Sequence, residues 1–159
     1  MRKPVETPHA PRPLGPYSQG IVDGDLVYVA GQGPLDPETG QPAPGDVGAQ
    51  TARTLENVRA ILEAAGASLE SVIRCNVYLT SMRDFPAMNA VYGRAFSAPH
   101  PARTTVEVSA LPGGIAVEID CIARRTAASL RGKRRASVTR PSAKRPAGKR
   151  RASPPRRRR

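Results

Sequence analysis

Two side chains stand out as candidates for chemistry. Arg103 enters an apolar strand directly from a proline-stiffened loop, in Pro101-Ala102-Arg103-Thr104-Thr105-Val106-Glu107-Val108, and Glu118 sits inside the apolar run 115–123. A carboxylate in such a run is costly unless it is paired, solvated or put to use. Two-residue alternation places Ala116, Glu118, Asp120 and Ile122 on one face of that strand, and Ile115, Val117, Ile119 and Cys121 on the other. Pattern alone leaves three readings open: a structural Arg–Glu pair, an acid on the solvent side of an antiparallel sheet, or a site. Tyr17 follows the rigid Gly15-Pro16 step, where its phenol either donates a hydrogen bond into a site or packs half-buried at a strand edge. Ala30-Gly31-Gln32-Gly33-Pro34 closes the next strand, and its glycines either admit a ligand or another backbone closely or mark a bulge. His9 and His100 have no nucleophile or metal-ligand partner in the sequence, and no Ser-His-Asp set, zinc spacing or phosphate loop occurs.

The elements that must position these residues follow from periodicity. Short strands are expected at 18–22 and 26–30, joined by Asp23-Gly24-Asp25, a hairpin signal because the turn must tolerate positive φ. A helix over 47–65 carries an apolar stripe of Ala52, Leu55, Val58, Ile61, Leu62 and Ala65, with Asp46 able to cap its start and Gly66 its end. A strand over 72–79 puts Ile73, Cys75, Val77 and Leu79 on one face, and Arg74, Asn76 and Tyr78 on the other. Ser81-Met82-Arg83-Asp84 introduces a second helix with the stripe Phe85, Met88, Tyr92, Ala95 and Phe96, stopped by Pro99 and Pro101. Strands at 104–109 and 115–123 complete a β-β-α-β-α-β-β order. Two helices of this length cover one face of the sheet, which makes an α+β layer structure and leaves the other face for polar residues or a partner chain.

Composition divides the chain. Residues 1–125 hold 11 of the 25 Lys and Arg and all 13 Asp and Glu, whereas residues 126–159 hold the remaining 14 basic residues and no acid. The expected organisation is an extended, Pro-rich arm over 1–14, one domain over 15–125, and a basic tail over 126–159 with too little apolar surface to fold alone. Gly-Lys-Arg-Arg-Ala-Ser occurs twice in that tail. Cys75 and Cys121 lie in apolar runs, as buried reduced thiols do. No apolar stretch approaches membrane-spanning length and no apolar leader is visible, so a cytoplasmic location without membrane association is expected.

Taken together, Gly15-Pro16-Tyr17-Ser18-Gln19-Gly20, Val29–Pro34, Met88-Asn89-Ala90-Val91-Tyr92, Pro101–Val108 and Val117-Glu118-Ile119 resemble, in collinear order over about residues 5–125, the motifs of the Rid (reactive intermediate deaminase) family. That resemblance implies a chorismate-mutase-like α+β fold, a homotrimer with clefts between subunits, and hydrolysis of reactive 2-imino or enamine acids (of the 2-iminobutanoate and 2-iminopropanoate type) to 2-keto acids and ammonia, without metal or cofactor. It implies that Arg103 holds the substrate carboxylate and that Glu118 positions or activates water, with Tyr17, Ala30, Gly31, Asn89 and Thr105 lining the cleft. The residue types suit those roles: a guanidinium forks onto a carboxylate, and a carboxylate beside a water accepts its proton. Ala30 stands where many family members have Ser, and Thr105 where some have Cys, which bears on substrate preference.

A reading of a different class competes. The tail would bind polyanions electrostatically, making the chain a ligand-binding or nucleic-acid-associated trimer; no aromatic residue interleaves the tail to stack on bases. Endoribonuclease action, ascribed to some relatives, ranks below both because the proposed cleft has no His pair and no Lys.

Overall fold

The computed structural model describes residues 1–126. The expected basic tail falls, from residue 127 onward, outside the described residues.

Helix α1, Val47–Ala65, starts where the Asp46 carboxylate accepts a hydrogen bond from the Ala49 amide at 2.9 Å. It stops at Gly66, whose φ of 77° is a left-handed conformation that a residue without Cβ adopts at little cost. Leu55, Val58, Ile61, Leu62 and Ala65 are buried as the stripe predicts, but Ala52 is exposed and Thr51 and Thr54 are buried in its place. The Thr51 hydroxyl satisfies itself on the Val47 carbonyl at 2.7 Å, which is how a polar residue is tolerated on the core side of a helix. Helix α2, Phe85–Ala95, follows a short turn over Met82–Asp84 and buries Met88 and Tyr92.

The strands are β1 (Lys3–Val5), β2 (Gly20–Asp23), β3 (Leu26–Gln32), β4 (Val72–Leu79), β5 (Ala102–Glu107) and β6 (Val117–Arg124). They form one mixed sheet in the order β1-β2-β3-β6-β4-β5. All neighbours are antiparallel except β4 and β5, whose parallel pairing requires the crossover that α2 supplies. The β2–β3 hairpin turns at Gly24, with φ of 62°. Strand β1 is additional to the expected five: it adds to the sheet edge from within the proline-rich arm, its Val5 buried opposite Gly20. Pro4 fits there because an outer strand does not need every N–H.

Both helices pack on one face of the sheet. Val27, Val77, Val117, Ile119 and Ala123 from the strands and Val58, Ile61, Leu62 and Met88 from the helices are fully buried between the layers. Cys75 and Cys121 stand opposite each other on β4 and β6, both free and buried. The uncovered face carries a cross-strand row of Ile21, Tyr28 and Ile122. Tyr28 is 43% exposed and Val106 39%, more apolar surface than a solvated sheet face needs. Two bulges interrupt alternation. One lies between Val72 and Arg74 and leaves Ile73, expected in the core, 48% exposed. The other lies between Val29 and Gln32.

Candidate functional site

The sequence-derived site residues fall into two groups on opposite faces of the sheet. Arg103 is directly across from Cys75, which is across from Cys121, so its side chain belongs to the helix-covered face. Glu118 is across from Tyr78, one residue out of phase with that row, and projects from the uncovered face. No ion pair joins Arg103 to Glu118 within the chain, which removes the reading of a structural Arg–Glu pair.

The first group gathers at the outer edge of the sheet. One guanidinium nitrogen of Arg103 donates to the Asn89 Oδ1 at 2.8 Å. Its carbon lies 4.5 Å from the ring centre of Tyr92 and 5.6 Å from that of Phe85, cation–π distances that hold the group while leaving other N–H donors for a ligand. Thr105, two residues along the same face, has a buried hydroxyl with no hydrogen-bond partner. Phe85 and Tyr92 read from sequence as plain core. Their second role, as the cradle of a cation, depends on the β4–β5 pairing that brings Arg103 across them.

The second group lies around the β3 bulge. Gly31 abuts the Glu118 side chain so closely that a Cβ at this position would come within 2.8 Å of the carboxyl carbon and would overlap one carboxylate oxygen. The bulge reading of this glycine holds, and what its missing Cβ admits is the Glu118 side chain. Burial pushes the Glu118 pKa up from its ordinary value, and the negative Asp120 on the same face adds to the rise. Arg103 makes no contribution to it inside one chain. Tyr17, Gly31 and Glu118 line one cavity with Arg12, Pro112 and Ile115. The Tyr17 oxygen accepts a hydrogen bond from the Leu14 amide at 3.1 Å, which leaves its O–H free to donate. Ala30 does not line this cavity; its amide donates to the Gln19 carbonyl at 3.0 Å, so it shapes the bulge.

Sequence reasoning missed the supports of this second group. Gln19 is buried and clasps the arm: its Oε1 accepts from the Thr7 amide at 2.8 Å, and its Nε2 donates to the carbonyls of Thr7, Ala10 and Pro11. Asn57, buried on α1, donates to the carbonyls of Gly33 and Leu35 and fixes the chain leaving β3. On the uncovered face Asp120 accepts from the Asn76 side-chain Nδ2 at 2.9 Å and the Tyr78 hydroxyl at 3.0 Å. A polar residue on a helix stripe, as Asn57 is, was the available signal; the partners of Gln19 are backbone carbonyls that no pattern reveals.

Among the described residues no cluster of His, Cys, Asp and Glu could hold a metal ion, and no helix is long and apolar enough to cross a membrane.

The sequence and the fold that carry these two groups have counterparts among known proteins. The family model described as Endoribonuclease L-PSP matches residues 7–125. The chain belongs to the Rid family. It is 50% identical over 123 residues to a RutC family protein of Pyrococcus horikoshii, covering 77% of this chain and 98% of that one. It is 41% identical over 128 residues to the 2-iminobutanoate/2-iminopropanoate deaminase of Escherichia coli, covering 79% of this chain and 99% of that one. The crystal structure of RidA from an Antarctic Psychrobacter superposes with a TM-score of 0.74 at 43% identity, covering 77% of this chain and 98% of that one. The fold and the Rid-type deaminase activity of the family in general are thus the frame for this chain's own site.

Proposed function

We propose that this chain hydrolyses reactive 2-imino acids, of the 2-iminobutanoate and 2-iminopropanoate type, to 2-keto acids and ammonia in a site built from two copies of the chain. The observation that carries the reading is the split itself: an unpaired, cradled guanidinium on one face of the sheet and an uncompensated, partly buried carboxylate on the other. Each lacks what the other supplies, and the apolar row Ile21, Tyr28 and Ile122 gives a second copy a surface to cover. Association into a closed ring, the trimer of the family reading, sets the Arg103 edge of one copy against the Glu118 cavity of the next.

In that arrangement the guanidinium fixes the substrate carboxylate through two parallel hydrogen bonds and so orients the plane of the C=N bond. Water adds its oxygen to the C=N carbon while Glu118 accepts one of its protons. Glu118 returns that proton to nitrogen, which gives a carbinolamine; it then takes the hydroxyl proton and delivers it to nitrogen as the C–N bond breaks, so that ammonia leaves and the carbonyl of the keto acid remains. No redox change occurs, and the chain's own residues suffice for the proton inventory. Positioning supplies most of the acceleration, since imines already hydrolyse in water. The test couples an amino-acid oxidase, as imine source, to detection of the imine; faster imine loss with the protein supports the reading, and loss at the buffer rate across small and bulky imino acids overturns it. The 14 basic residues beyond residue 125 favour one additional partner class, a polyanion bound without sequence preference.

A further inference from the structure

Glu118 has a second acid for a neighbour, and that acid is fixed from the next strand. Asp120 follows two residues along β6 and shares the uncovered face. Both of its carboxylate oxygens are held from β4. Asn76, directly opposite, donates its Nδ2 to one at 2.9 Å, and Tyr78 donates its hydroxyl proton to the other at 3.0 Å. Tyr78 is itself the residue directly opposite Glu118. Its single O–H is committed to Asp120, so it has no proton to give the Glu118 carboxylate. Arg74, further along β4, is directed to Asn76 and Thr104. Around Glu118 the arm contributes Tyr17, β3 contributes Gly31, and the turn before β6 contributes Pro112 and Ile115. Within one chain Asp120 is the charge that acts on Glu118, adding to the rise in pKa that burial causes; Arg12, exposed beside the same cavity, does not act on it.

We propose that Asp120 is a positioning residue for the hydrolysis: anchored by Asn76 and Tyr78, its fixed negative charge makes Glu118 the stronger base that takes the proton from water and keeps it until nitrogen receives it. This rests on the imine-hydrolase reading. Two carboxylates two residues apart on one strand face are about 7 Å apart along the backbone, and a proton on Glu118 relieves their repulsion. The two hydrogen bonds matter because a free Asp120 side chain would swing away from that repulsion, whereas a held one maintains it. A base strengthened in this way removes more of the water proton as the oxygen adds to carbon. The pull is balanced across the interface by Arg103 of the neighbouring copy, which favours the charged form of Glu118 in the assembled site.

The experiment follows the Glu118 carboxyl carbon by NMR across pH in the full chain, for wild type, Asp120→Asn and Asp120→Glu, with pH profiles of imine turnover measured alongside. Asn keeps the shape of Asp and removes its charge, whereas Glu keeps the charge and changes the shape; both retain an acceptor for Asn76 and Tyr78. The expected Glu118 midpoint is lower by about half to one pH unit in Asp120→Asn, with the acid limb of kcat/KM moved down by as much. Asp120→Glu should keep both near the wild-type position. Arg103 is the same in all three proteins, so the comparison isolates the charge at 120. An unchanged midpoint in Asp120→Asn, or a larger shift in Asp120→Glu than in Asp120→Asn, overturns the proposal. A shifted midpoint with an unmoved acid limb also overturns it, because the charge then acts on Glu118 without bearing on the reaction. Wild type without turnover, the midpoint difference being intact, removes the hydrolase assignment alone; turnover without that difference removes the role of Asp120 alone.

Discussion

Glu118 carries the sharpest expectations at the scale of single residues. Its pKa is raised by burial and by Asp120, so the folded chain holds a proton there more tightly than the unfolded chain does. The sign follows: this group's contribution to stability is favourable below the ordinary carboxylate pKa and is lost as pH rises through the raised value. Glu118→Gln is therefore expected to raise the melting temperature at pH 7 and leave it nearly unchanged near pH 4, while abolishing the base; paired thermal scans and turnover assays check both. Gly31→Ala should displace the carboxylate that its Cβ meets and lower kcat by about 10- to 100-fold, since a shift of roughly 1 Å at a reacting group has that effect. Because the obstructed atoms are the far end of a flexible side chain, circular dichroism should show the fold retained. The types of Arg103, Glu118, Tyr17 and Gly31 and the motifs around them were legible in the sequence. Their placement on opposite faces was not, because the phase of Arg103 against Glu118 is set by how β5 and β6 each register on β4.

At the scale of elements, the arm and the bulge do the positioning. Gln19 makes four hydrogen bonds to the segment between Thr7 and Pro11 and thereby joins β1 to the cavity rim. Gln19→Ala leaves those backbone groups to find other partners, and a destabilisation of about 1–3 kcal/mol is expected. Denaturant midpoints measure it, and hydrogen exchange should show residues 3–13 losing protection before the β4–β6 pair does. The bounds and caps of helix α1 were legible, because their signals are local, and of its stripe only Ala52 was misassigned. Strand β1 and the bulge at 72–74 were not legible, since a three-residue strand and an extra residue exist only relative to a partner strand distant in sequence, whereas Gly31 and Gly33 offered the β3 bulge as one reading. Ile73 shows the consequence: alternation counted from Leu79 back assigns it to the core, and the bulge at 72–74 turns it out.

At the scale of the whole molecule, charge and a lack of apolar residues set 126–159 apart from the rest of the chain. Removing residues 126–159 is expected to abolish salt-dependent binding to a generic polyanion such as heparin while leaving imine hydrolysis unchanged, as chromatography and turnover of the truncated chain would show. Association should follow from the uncovered face: Tyr28→Glu, which places a charge in the row of Ile21 and Ile122, is expected to give monomers in sedimentation and to lose turnover with the assembly.

The central claim, that Arg103 and Glu118 act together only across two copies, is tested most directly by mixing two inactive variants. Arg103→Ala and Glu118→Gln are each expected to fall to near the buffer rate alone. Co-refolded in equal amounts, they should recover about a quarter of wild-type turnover, because a quarter of the interfaces then pair an intact Arg103 with an intact Glu118. Continued inactivity of a mixture shown to co-assemble, with wild type active, would contradict the account and place both residues' work within a single chain.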